Sequence, residues 1–134
     1  AVRGGGAFKE GTPLSISKRS LSQSYIGYES KNDPGRDPVF NSIEEQGAKT
    51  LRTISSGWEF VMVAEGKLDG RVQLNPWGDI YDYAPGALLV EEAGGIVRNF
   101  GTDSYDYRNL NFIAAAPKVY EEIVGCVGTK LTLT

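Results

Sequence analysis

The strongest chemical signal lies in Tyr81-Asp82-Tyr83-Ala84-Pro85-Gly86-Ala87-Leu88-Leu89-Val90-Glu91-Glu92-Ala93-Gly94-Gly95. The stretch predicts a helix over 83–93. Asp82 takes the cap position, Pro85 falls in the first turn, where a missing N–H costs little, and Gly94-Gly95 provide a left-handed stop. A carboxylate at such a helix end has two uses. One oxygen can cap backbone N–H groups while the other faces a cation, and the helix end itself attracts phosphate. Ala84, Gly86 and Ala87 are small enough for close packing against a neighbour. Periodicity alone is equally well met by a plain N-cap, since Asp is a common cap residue.

Other chemistries are narrowed by composition. The chain has no His, which excludes a Ser-His-Asp triad and an imidazole zinc site. Its single cysteine, Cys126, rules out an internal disulfide framework and points to a reducing, cytoplasmic compartment. Net charge is −3 without a basic stripe, which argues against a phosphate-tracking nucleic-acid surface. No apolar run approaches the roughly 20 residues of a membrane span. Glu44 and Glu45 are adjacent on a predicted helix and point to different sides, so they read as solvated surface. Glu91 and Glu92 read as helix surface, Trp58 and Trp77 as buried packing, and Asn32–Pro38 as a cap and turn. The loop with Tyr105, Tyr107 and Arg108 has no assigned role.

The elements that must position these residues follow from patterning. At 134 residues the chain suits one domain, and its 17 glycines imply many tight connections. Strands are expected around Ala7-Phe8 and over 14–17, 24–28, 51–54, 71–74, 96–97 and 111–115. Helices are expected from Asp37-Pro38 to about Ala48, over 56–66, over 83–93, and from Pro117 to about Val124. Alternation of strands and helices favours an α/β layered sandwich with a mixed, mostly parallel sheet flanked by helices.

Several segments together resemble the inositol monophosphatase family. Asp82 through Gly95 is similar to its Trp-Asp-x-Ala-Ala-Gly-x-Leu-x-Val-x-Glu-Ala-Gly-Gly signature, with Tyr81 for Trp and Pro85 for the second Ala. Gly4-Gly5-Gly6-Ala7-Phe8-x-x-Gly11 resembles its Gly-x-Gly-Ala-Phe-x-Asn-Gly segment. Arg52-Thr53-Ile54-Ser55-Ser56-Gly57 resembles Arg-x-x-Gly-Ser-Ala-Ala, and Val63–Gly70 resembles Val-Ala-x-Gly-x-x-Asp-Gly. Asn111–Ala116 matches the final strand before the last helix.

The resemblance implies a Mg²⁺-dependent phosphomonoesterase acting on a small phosphorylated substrate, an inositol or sugar phosphate. It assigns metal binding to Asp82 and substrate contacts to Ile54, Ser55, Ser56 and Gln73, with Asn75 competing for the last position. The family's other acidic metal-ligand segments do not occur in this chain. Residues 1–134 therefore correspond to a C-terminal lobe, with an N-terminal metal-binding lobe as its missing partner and no complete catalytic set. Such a lobe is expected to be inactive alone. The alternative is a non-catalytic binding or dimerisation module, since a missing lobe exposes an apolar face that invites association.

Overall fold

In the computed structural model, which describes residues 1–128, a short hairpin of β1 (Phe8–Lys9) and β2 (Thr12–Pro13) precedes the main sheet. Left-handed Glu10 and Gly11 make its turn. The sheet contains β3 (Tyr25–Glu29), β4 (Lys49–Leu51), β5 (Gly70–Gln73), β6 (Ile96–Asn99) and β7 (Phe112–Ala115), in the order β4-β3-β5-β7-β6. β3 pairs parallel with β4 and β5, whereas β7 pairs antiparallel with β5 and β6. Four strands thus share one direction and β7 alone opposes them, a mixed, mostly parallel sheet.

The helices are α1 (Pro38–Glu45), α2 (Ser56–Ala64), α3 (Ile80–Glu92) and α4 (Pro117–Val127). α1 begins as its sequence dictates: the Asp37 carboxylate accepts from the N–H groups of Val39 and Phe40, at 3.0 and 3.2 Å, and Pro38 occupies the first helical position. α1 packs on α4 on one face of the sheet, and α2 on α3 on the other. Strand alternation divides the core accordingly. Ile26, Tyr28, Val72, Ile113 and Ala115 join the α1–α4 layer. Phe112, Ala114 and Val97 join Phe60, Val63, Tyr83, Ala87 and Val90 in the α2–α3 layer. Among the described residues no helix is long and apolar enough to cross a membrane.

Three local expectations are corrected. Residues 14–17 form no strand. Their alternation reflects docking: Ile16 packs against both core layers, and the Ser17 hydroxyl donates to the buried Asp69 carboxylate. The expected strand over 51–54 stops at Leu51, because Thr53 turns back to bond Glu59. α3 starts at Ile80 with Asp79 as its cap, so Asp82 sits in the first turn and Pro85 in the helix interior. The physical reason is a reciprocal capping box. Asp79 accepts from the N–H of Ile80 at 2.7 Å, and Asp82 Oδ2 accepts from the N–H of Asp79 at 2.8 Å.

Candidate active site

The three adjacent parallel strands β4, β3 and β5 end on one edge of the sheet, the side where ligands bind in open α/β folds. A cavity of about 540 Å³ opens there. Glu29 and Ser30 reach it from the end of β3, Arg52 to Ile54 from the end of β4, Ser56 from the start of α2, Trp77 and Gly78 from the loop before α3, and Asp82 and Tyr83 from its first turn. Two helix N-termini therefore meet at its wall; Asp79 and Asp82 already cap the start of α3 with carboxylates, so of the two it is the start of α2 whose dipole favours an anion.

Asp82 is solvent-exposed and lines this cavity. Its Oδ2 is held by the capping box, while Oδ1 accepts no hydrogen bond among the described residues. The Ser56 hydroxyl donates to the Asp82 backbone carbonyl at 3.3 Å and so ties the two helix starts together. Ser55 caps α2, its hydroxyl oxygen accepting from the Trp58 N–H at 3.4 Å. Ile54 lies fully in solvent on the cavity rim. The fold thus brings Ile54, Ser56 and Asp82 to one cavity, with Ser55 between them as a cap. Gln73 is not brought there. It is fully buried, its amide nitrogen donating to the Leu110 carbonyl at 2.7 Å and its amide oxygen accepting from Arg71. Asn75, its competitor, adopts a left-handed backbone and bonds Asn32 and Asn111 instead.

Beneath the cavity is a buried polar network that patterning did not reveal. The alternation of β5 is real, but its polar members point into the α2–α3 layer instead of solvent. Arg71 is 1% exposed. Its Nε donates to Glu59 at 3.0 Å and its other nitrogens donate to Glu29 and Gln73. The guanidinium also lies over the rings of Phe60 and Tyr83, at 4.7 and 5.4 Å. Glu59, likewise buried, accepts from the backbone and hydroxyl of Thr53. Gly27 makes this possible, since a methyl group there would overlap the Glu59 carboxylate.

Glu29 closes the network at the cavity floor. It accepts from the Tyr83 hydroxyl and from the Trp77 N–H at 2.8 Å. Desolvation pushes its carboxyl up, but the donors Tyr83 and Trp77 and the charge of Arg71 together hold it below the usual carboxylate range. Desolvation, followed by the bond to Glu29, drives the Tyr83 phenol well above its ordinary range. Tyr83 also accepts from the Gly78 N–H at 2.7 Å, which fixes the loop before α3. The alternation of Arg71 and Gln73 with Val72 gave no signal for this network, because it reads equally well as a half-exposed strand.

Two aromatic expectations are corrected. Trp58 is 47% exposed and Trp77 is 74% exposed, because both sit at the cavity end of the fold, away from either core. Glu92, read as helix surface, accepts from the N–H groups of Gly4 and Gly6 at 3.1 and 2.9 Å and pins the N-terminal glycine turn to α3. Among the described residues, no three acidic or sulfur side chains converge to enclose a cation.

Known proteins share this fold and part of this sequence. A sequence model described as the inositol monophosphatase family matches residues 1–129. The chain is 32% identical to a Nus factor SuhB of Haemophilus influenzae over 97% of its own length and 52% of the relative's. It is 30% identical to an inositol monophosphatase of Dictyostelium discoideum over 92% of its length and 47% of the relative's. Among solved structures, the extragenic suppressor protein suhB of Bartonella henselae superposes with a TM-score of 0.82 at 26% identity, covering 95% of this chain and 50% of that one. A staphylococcal IMPase-II shares the fold, with a TM-score of 0.82 at 22% identity over 99% of this chain and 52% of that one. The chain spans about half the length of the curated relatives it matches. By this match over nearly all of its length, the chain belongs to the inositol monophosphatase family.

Proposed function

We propose that this chain is one lobe of a Mg²⁺-dependent phosphatase for a small phosphate monoester, an inositol or sugar phosphate, and that it is inactive by itself. The observation that carries this is Asp82, an exposed carboxylate with one oxygen held by a backbone N–H and the other open, in the wall of the cavity. Mg²⁺ takes six oxygens in near-octahedral geometry. Asp82 fits one such position and cannot supply the rest, so the remaining ligands come from a second, N-terminal lobe. When bound, the ion neutralises phosphate charge and polarises a phosphoryl oxygen.

The chain's own residues bind and orient. The α2 N-terminus and Ser56 hold the phosphate side, while Ile54 and Ser55 shape the rim. Gln73 acts indirectly, by holding Arg71 under Glu29. The test is hydrolysis of inositol 1-phosphate with Mg²⁺, by the chain alone and after mixing with the N-terminal half of a full-length relative. Activity is expected only in the mixture, and Asp82→Asn should abolish it. Robust turnover by the isolated chain that disappears in Asp82→Asn would refute the incomplete site.

A second reading has its own support. One relative bears the name Nus factor, and Ile54, Tyr81 and Trp77 form exposed apolar surface at the same end of the fold. In this reading the chain is a non-catalytic docking or dimerisation module. Light scattering separates the two: a dimer whose mass falls to the monomer in Trp77→Ser, without phosphatase activity in any mixture, selects the second.

A further inference from the structure

α2 lies between two cavities. The first opens at its N-terminal end; a second, of about 450 Å³, opens between its C-terminal end and the β1–β2 hairpin. The two share no lining residue, and the nine residues of α2 span roughly 14 Å between them. A space of this size suits a small organic molecule.

The wall of the second cavity holds two cations in place. The Glu65 side chain is 6% exposed, and its two oxygens pair with different lysines, Oε1 with Lys9 at 2.9 Å and Oε2 with Lys67 at 3.0 Å. Gly66 is left-handed, at φ 78°, and too close to the Ser15 carbonyl to carry a side chain; it turns the chain between Glu65 and Lys67, and both line the cavity. The lysines stay more than half exposed. Each ammonium has three N–H donors and spends one on Glu65, which leaves two free to meet a ligand. Ion pairs to such exposed lysines add little to stability. What Glu65 accomplishes is placement, since it sets side by side two ammonium groups that would otherwise repel. Arg19, a further cation at this end of α2, is turned instead to the buried Asp69, at 2.8 Å.

Opposite charge lines the same cavity. Glu10, in the hairpin turn, makes no hydrogen bond or ion pair among the described residues and pairs with neither lysine. The two ammoniums and two carboxylates cancel, so the cavity is neutral but its charges are segregated into a clamped pair of cations and a free carboxylate. Pro13 and Leu14 supply an apolar stretch of wall. A simple anion would gain the lysines and meet the repulsion of Glu10, and a simple cation would face the reverse. A ligand that carries both charges a few bonds apart satisfies both groups, and an apolar branch on it covers Pro13 and Leu14.

We propose that this second cavity binds a zwitterion of the α-amino-acid class, its carboxylate on Lys9 and Lys67 and its ammonium toward Glu10. The site uses none of the residues of the phosphatase reading and stands or falls apart from it. The 134-residue chain is titrated by calorimetry at constant ionic strength with L-leucine and with its two singly charged analogues, 4-methylpentanoate and 3-methylbutylammonium, while the amide resonances of Gly11 and Ser15 are followed. Leucine should saturate and shift both resonances, and should bind about tenfold or more tightly than either analogue. In Glu10→Gln its advantage over 4-methylpentanoate should vanish. In Lys67→Met its advantage over 3-methylbutylammonium should fall about threefold or more, Lys9 and Glu65 remaining paired. Glu10 is exposed in a turn, so Glu10→Gln decides the matter even where Lys67→Met disturbs the fold by circular dichroism. Absence of saturation overturns the proposal, as does an analogue that binds as tightly as leucine, or a leucine advantage that survives Glu10→Gln.

Discussion

Replacing Arg71 by Met tests the network under the cavity most directly. Met fills much of the same channel without charge or donors, so the change isolates electrostatics from packing. It leaves Glu59, 2% exposed at its side chain, and Glu29, 17% exposed, without their shared cation. Removing one partner of a buried ion pair costs about 3–5 kcal/mol. Glu59 should account for most of that loss, because Glu29 borders the cavity and keeps its Tyr83 and Trp77 donors. Such a loss is a large share of the roughly 5–15 kcal/mol that holds a domain together.

Two features distinguish this mechanism from simple loss of packing. Acid should narrow the gap between Arg71→Met and the parent, since protonation relieves the orphaned carboxylates. Adding Glu59→Gln to Arg71→Met should restore about half the loss or more, because the uncharged amide oxygen can still accept from Thr53. The assay is urea denaturation followed by circular dichroism, near neutral pH and at about pH 5. A loss below about 1 kcal/mol, or one that is independent of pH and not relieved by Glu59→Gln, would refute the reasoning.

Other outcomes follow from the same structure. Gly86→Ala should destabilise by about 1–3 kcal/mol although helix propensity alone favours Ala by about 1, because the new methyl overlaps the Phe60 ring where α2 meets α3; a raised melting temperature would show the helices can separate freely. Asp69→Ala should cost about 2–3 kcal/mol in urea unfolding, since the Tyr25 N–H at 2.8 Å, the Arg19 Nε at 2.8 Å and the Ser17 hydroxyl lose their common acceptor. The Glu29 carboxyl is held below its ordinary value of 4.5, so its contribution to stability is present above that pH and lost as pH falls through the lower folded value. The urea midpoint should therefore decline on acidification, less steeply in Glu29→Gln. Tyr83 has the opposite sign: its phenol is raised above 10, so its contribution is present below pH 10 and lost as pH rises beyond it, and Tyr83→Phe should soften alkaline unfolding.

Much of this protein was legible in one dimension. Asp37-Pro38 specified the start of α1, Pro117 the start of α4 and Gly94, at φ 102°, the end of α3, because caps and stops depend on a few neighbouring backbone groups. The ordered segments around Asp82, Ser55-Ser56 and Gly4–Gly11 were enough to reach the family. The start of α3 lay beyond local pattern because Asp79 and Asp82 are both good caps, and only their reciprocal bonding decides which one terminates the helix. Equally out of reach was any relation across the sheet. Arg71 and Gln73 alternate with Val72 as solvent-facing residues do, yet an α2–α3 layer covers them, so they became the buried centre of a charge network. Glu29 and Arg52 lie at the ends of adjacent strands but more than 20 positions apart in the chain. Strand order placed them in one cavity, because pairing between strands is set by the packing of the whole sheet and leaves no mark in the spacing of either residue.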